Sequence, residues 1–329
     1  HIMDFGFFTS SLNNNKESSK SHFFSNSIIK YENKYFNNSN LEINLEQVTN
    51  DTYLKKFKPK SELINSDNLM HSFLSYEGNN NTSSLSVSLE SYEDLTKTSS
   101  DRYEFIYPNI EFIKDLFPLE ASNSLSLKTS LYQKQYETNK YEQKLITDLL
   151  YTSDTKFDEN GVTRDLQLLF KNPNIRNKTG SNNQSNNENK LLTKLMYSLS
   201  YPLKKQGQIY DGFLKPNLSL RFSPNNTKNI SNEDRRLGIN SINSINRLSM
   251  VDGVEGGQSL TAGFNYQLKN KIGEEKISLD LSQVIRDKAN PDLPTSSTLN
   301  NKYSDIIGKV KFDLFDNLNF EYDFMIDNN

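Results

Sequence analysis

Three histidines, His1, His22 and His71, are the first places to look for proton transfer near neutral pH. They are scattered, and no nucleophile pattern lies beside any of them. His71 sits in Leu69-Met-His-Ser-Phe-Leu74 and reads as a polar residue on a wet strand face rather than a metal ligand. Aspartate and glutamate are numerous but lack metal-ligand spacing. Gly256-Gly257 is not followed by the Gly-Lys-Ser/Thr of a phosphate loop. The chain has no cysteine, which excludes disulfides and thiolate metal sites within it. The expectation is therefore a protein that is not an enzyme, with no cofactor and no metal. The densest charge lies in one segment that holds Glu233, Asp234, Arg235, Arg236, Arg247, Asp252 and Glu255. These charges either stand solvated on a surface loop or pair within a folded one.

The elements flanking this segment have a period of two. Leu260, Ala262, Phe264, Tyr266 and Leu268 share one face, with Thr261, Gly263, Asn265 and Gln267 on the other. Leu318, Phe320, Tyr322, Phe324 and Ile326 alternate with Asn319, Glu321, Asp323 and Met325. Val310, Phe312 and Leu314 alternate with Lys309, Lys311 and Asp313, and Leu218, Leu220 and Phe222 with Asn217, Ser219 and Arg221. Strict alternation makes strands with one apolar face. Hydrophobic residues are only 34% of the 329, yet there are 20 Phe and 17 Tyr, too many for a disordered chain. A fold with a wet interior reconciles the two. The net charge of −3 suggests neither nucleic acid nor an anionic surface as partner. No stretch approaches the roughly 20 apolar residues of a membrane helix, but a barrel strand needs only about 9–11 with every second one apolar. Asn-X-Ser/Thr triplets such as Asn177-Lys178-Thr179 are chance matches in an Asn-rich chain.

A soluble sandwich shares this alternation, so the connections carry the distinction. Asp316-Asn317, Lys269 to Glu275, Pro202 to Gln208 and Asp158 to Gly161 read as short turns. Asp287 to Asn301, Ser223 to Ser259 and Lys171 to Lys190 read as long loops, the last of low complexity. Short and long connections thus alternate, as periplasmic turns and outer loops do in outer-membrane barrels. The N-terminal half follows with Asn37 to Asn40 short and Asp51 to Asn65 long, but Thr138-Asn139 is short where a long connection is expected. The predicted fold is all-β, an antiparallel transmembrane meander of about fifteen strands. The chain is expected to be an incomplete barrel, open between the strand near Ile2 to Thr9 and that near Leu318 to Ile326.

The segment before Leu260 contains Asn232-Glu233-Asp234, then Asn243-Ser-Ile-Asn-Arg247-Leu248, then Asp252-Gly-Val-Glu255-Gly256-Gly257. This order, running into a strand, resembles the lipopolysaccharide-assembly family LptD. Ser282-Gln283-Val-Ile-Arg286, Leu293-Pro294 and Tyr303-Ser304-Asp305-Ile306-Ile307-Gly308 continue the likeness. Tyr92 to Leu95, Arg102 to Pro108 and Leu214 to Pro216 extend it upstream.

The resemblance implies residues 1–329 to be part of one outer-membrane β-barrel domain of a Gram-negative bacterium, with the periplasmic N-terminal domain and the last barrel strands lying outside it. It implies insertion of lipopolysaccharide into the outer leaflet, with outer-membrane lipids, an LptE-like plug lipoprotein and a periplasmic lipopolysaccharide bridge as partners. It also implies that Asn232, Glu233, Asp234, Arg247, Asp252, Glu255, Gly256 and Gly257 belong to an ordered loop packed over or into the barrel mouth. The polar faces assign Asn265, Gln267, Asp280, Lys311 and Glu321 to the lumen, and Phe264, Leu279, Phe312 and Phe320 to lipid. A passive porin-type channel and a surface-exposed soluble β-protein remain as alternatives.

Overall fold

The computed structural model describes residues 1–11, 17–117, 122–137, 140–178, 186–315 and 318–327. Among these the strands are β1 (Ile2–Ser11), β2 (Glu17–Tyr31), β3 (Asn38–Val48), β4 (Leu69–Asn79), β5 (Ser83–Asp94), β6 (Tyr103–Asp115), β7 (Ser124–Tyr136), β8 (Lys140–Thr152) and β9 (Lys156–Phe157). They continue with β10 (Thr163–Lys178), β11 (Asn186–Asn189), β12 (Leu192–Ser200), β13 (Leu203–Lys205), β14 (Tyr210–Ser223), β15 (Gly257–Asn270), β16 (Glu275–Arg286), β17 (Ile306–Phe315) and β18 (Leu318–Ile326). Helix among the described residues is confined to α1 (Tyr53–Phe57), α2 (Ile239–Ile242) and two 3-10 turns. The fold is the expected all-β antiparallel meander.

The chain divides into two compact units. His1–Leu116, Leu127–Thr147 and Pro173–Lys190 form the first, and Phe117–Ser126, Asp148–Asn172 and Leu191–Asn329 the second. In the first unit β1 to β6 pair in sequence order. Residues directly opposite share a face, so Leu41, Tyr76, Val87 and Ile110 make an apolar row across β3 to β6. Asn26, Asn44, Phe73 and Glu90 make a mainly polar row on the other face of β2 to β5. The connection between β3 and β4 carries α1. Its Tyr53 and Leu54 are buried with Phe24, Val48, Met70 and Leu95 in a small core.

In the second unit β12, β14, β15, β16, β17 and β18 pair in order. The rows Leu268–Ile277–Phe312–Phe320 and Tyr266–Leu279–Val310–Tyr322 form one face. Asn265–Asp280–Lys309–Asp323 and Gln267–Ser278–Lys311–Glu321 form the other. All five residues assigned to the lumen share that polar face, and all four assigned to lipid share the apolar one. Among the described residues β1 has one ladder, with β2, and β18 has one, with β17, so the meander is open.

Several expected boundaries move. Among the described residues eighteen strands replace about fifteen because β9, β11 and β13 are fragments of two to four residues; fifteen strands there have nine or more. Lys171 to Lys190 is not a loop throughout: β10 runs on to Lys178, and Asn174–Asn177 pair with Asn186–Asn189 of β11. Polar side chains hid this hairpin, because ladder bonds come from backbone whatever the composition. β14 begins at Tyr210 and runs through Pro216. That proline falls between the ladder with β12, which ends at Asn217, and that with β13, which begins at Leu214, so its missing N–H breaks neither. Asp158 to Gly161 is a tight turn, with the Gly161 N–H donating to Asp158 O at 2.9 Å and Gly161 at φ +82°. The turn at Asp316-Asn317, the pair Thr138-Asn139 and part of the Lys171 to Lys190 stretch lie outside the described residues.

Candidate functional site

Two connections on one end of the second unit's strands, Pro224–Gly256 and Asp287–Asp305, fold together. The Ile230 N–H donates to Asp292 O at 2.8 Å, and the Leu237 N–H to Ser297 Oγ at 3.0 Å. Ile230, Leu237, Ile242, Leu248 and Met250 of the first bury against Leu293 and Leu299 of the second. Val284 of β16 and Ile307 of β17 complete that core. By register both lie on the face that elsewhere carries Asp280 and Lys309. The cap therefore packs on the polar side of the sheet, at the end where that side turns apolar.

Beneath the cap lies a buried charge cluster. Glu255 accepts from Arg247 Nε at 2.8 Å and from Arg247 Nη2. It also accepts from Arg286 Nη1, and Lys194 Nζ stands 3.7 Å away. Arg247 further donates to Ser259 Oγ at 3.1 Å and Thr261 Oγ1 at 3.2 Å. Arg221 donates to Thr261 Oγ1 at 2.6 Å and to the cap carbonyls of Ile242 and Ser244 at 2.9 and 3.1 Å. Arg286 reaches Gly256 O at 2.8 Å, and Lys171 reaches Val251 O at 2.8 Å while paired with Asp148 at 2.6 Å. Strand cations thus grip the cap by its carbonyls and its one central carboxylate. Burial opposes ionisation of Glu255, but Arg247, Lys194 and Arg286 outweigh it and hold the carboxyl well below the usual range.

The loop residues singled out in the sequence divide in two. Arg247, Glu255 and Gly256 are buried in or beside the cluster. An added Cβ on Gly256 would stand 2.1 Å from Asn225 O, so this position requires glycine. Gly257 starts β15 at φ +81°. Asp252 pairs with Lys228 at 2.7 Å. Asn232, Glu233 and Asp234 are exposed; Glu233 pairs with Arg235, and Asp234 accepts from Ser296 Oγ at 3.0 Å. Arg236 lies 3.3 Å from Asp234, which these contacts hold below the ordinary carboxylate range. Lys171, Lys194 and Arg221 were not singled out as site residues. The available signal was Val284, which puts an apolar residue on a polar face and marks where something must cover it.

His22 Nδ1 lies 2.9 Å from Tyr53 Oη, and His71 Nε2 lies 3.2 Å from Glu90 and stacks on Tyr92. Both histidines are thus engaged in contacts on the polar side of the first unit. Among the described residues no group of three or more His, Cys, Asp or Glu is placed to hold a metal ion.

The family model for LptD, described as LPS transport system D, matches residues 30–329. The chain belongs to the LptD family. Its role therefore lies in lipopolysaccharide transport at the outer membrane, and the all-β meander fits a barrel there. No curated protein matches the chain.

Proposed function

We propose that this LptD-family chain forms part of the outer-membrane barrel that receives lipopolysaccharide from the periplasmic side and releases it into the outer leaflet. The observation that carries this is the pairing of family membership with a sheet whose two faces separate cleanly by register. In this reading Phe264, Leu279, Phe312 and Phe320 meet lipid. Asn265, Gln267, Asp280, Lys311 and Glu321 line a wet lumen along which the sugar portion passes. Acyl chains enter the bilayer where strands part, since open sheet edges are not tolerated in hydrocarbon. The remaining barrel strands and the periplasmic domain lie beyond residues 1–329. An LptE-like lipoprotein plugs the lumen, and a periplasmic bridge delivers the substrate. The folded cap lies on the outer side and the turn at Asp158–Gly161 on the periplasmic side.

Depletion of the full-length protein tests this reading. Newly made lipopolysaccharide should stop reaching the surface, read by modification with an outer-leaflet enzyme, while porin levels in the same membranes hold. Undiminished surface lipopolysaccharide after depletion would refute it.

A further inference from the structure

The first unit contains a second feature on its polar face. Beneath the connection that carries α1 lies a cavity of about 370 Å³, within the range of small-molecule sites. Its walls combine two kinds of side chain. Asn26, Glu42, Asn44 and Glu46 come from β2 and β3; Phe73 and Tyr92 come from β4 and β5. The aromatic side is ordered by register, because His71 opposes Tyr92 directly. Their rings stack at 4.1 Å with 7° between planes, and Phe73 continues the row 4.9 Å from His71.

The polar wall is held in place by its own contacts. Asn44 donates to His71 O at 2.7 Å, and the His71 N–H donates to Glu46 Oε2 at 2.8 Å. Asn26 donates to Glu42 Oε1 at 2.8 Å, which leaves the second Glu42 oxygen as an acceptor. Among the described residues no lysine or arginine lines this cavity. A phosphate or carboxylate ligand would face Glu42 and Glu46 without a counter-charge, which costs binding rather than adding to it. A neutral polyhydroxylated ring suits the same walls: its hydroxyls match planar amide and carboxylate groups, and its C–H face packs on an aromatic ring.

We propose that this cavity is a saccharide-binding niche that takes an uncharged sugar of the lipopolysaccharide core. The inference rests on the transport reading above and narrows it to one part of the substrate. Glu42 and Asn44 hold hydroxyls, and the row of Tyr92, His71 and Phe73 supplies the apolar platform.

The test uses the detergent-solubilised full-length protein and the lipid-free, dephosphorylated core oligosaccharide released from lipopolysaccharide by mild acid. Saturation-transfer NMR and calorimetry read binding. Wild type should bind; Glu42→Gln, which keeps shape, should weaken binding at least fivefold; Tyr92→Leu should abolish it. Heat-modifiable gel mobility confirms that each variant is folded, and Glu42→Gln alone decides should Tyr92→Leu fail to fold. Wild-type affinity in folded Glu42→Gln, no binding by wild type, or displacement of the sugar by calcium ions alone would overturn the niche. Surface lipopolysaccharide scored in the same strains separates the two claims. Normal transport with an oligosaccharide-blind wild type refutes the niche and leaves the transport reading standing.

Discussion

Each unit lays a connection across its polar strand face, and the two connections use the space beneath them differently. Under the cap of the second unit, hydrophobic side chains and a charge cluster fill it, with Arg247 and Glu255 nearly free of solvent. Under the α1 connection of the first unit, a core of Phe24, Tyr53, Leu54 and Met70 covers only part of the face. A cavity of mixed lining remains beside it, with Asn26, Glu42, Asn44 and Glu46 facing His71, Phe73 and Tyr92. The difference follows from the strand residues offered at each place. Val284 and Ile307 offer apolar surface to the cap, whereas Asn44, Glu46 and Glu90 offer groups that stay near water or a polar ligand. One connection is built as a seal, the other as a roof.

The largest effect should come from Glu255→Ala. It strands Arg247, Arg286 and Lys194 without their shared counter-charge, and removing one partner of a buried pair costs about 3–5 kcal/mol. Limited proteolysis of the folded full-length protein should then cut within 224–256, where wild type resists. Equal resistance would reduce the cluster to ornament. The same carboxylate sets the acid limit of the cap. Because its folded pKa lies below the ordinary 4.5, its contribution is complete above that value and is lost only as pH falls through the depressed one. Proteolytic protection should therefore be the same at pH 7 and pH 5; loss of protection at pH 5 would contradict the assigned contacts.

The two faces can be broken separately. Phe320→Arg should cost about 2–4 kcal/mol in lipid if it lies near the bilayer midplane. Glu321→Gln, one residue away on the other face, should be almost silent because its pairing with Lys309 is solvent-exposed. Urea titration in vesicles that found both mild would mean the faces are assigned wrongly.

Much of this was legible in the residues. The period of two in 260–268 and 318–326 fixed which side chains share a face, and the registers agree at every residue assigned to either one. Loop lengths located both cap segments. The gripping strand cations were less visible, because alternation shows only that Lys194 and Arg221 avoid the apolar face, and not what they meet. Partners eighty residues distant, such as Lys171 and Val251, are set by how the cap folds and not by local pattern. The cavity was invisible for the same reason: His71 and Tyr92 become neighbours only through the β4–β5 register.

Smaller effects sharpen the contrast. Gly256→Ala should cost about 1–3 kcal/mol, since the new methyl meets the Asn225 carbonyl rather than a movable side chain. Tyr53→Phe removes one hydrogen bond to His22 and should cost about 1 kcal/mol. A thermal melt of each in the same detergent would rank them. Tyr53→Phe exceeding Gly256→Ala would reverse the distinction between seal and roof.

The central claim, that the polar face carries lipopolysaccharide, is tested most directly by a photo-crosslinking residue at Gln267 in the full-length protein in living cells. Irradiation during a pulse of new lipopolysaccharide synthesis should yield a protein–lipopolysaccharide adduct that disappears when delivery from the inner membrane is blocked. No adduct at Gln267 or at Lys311, or one that persists after delivery stops, would contradict it.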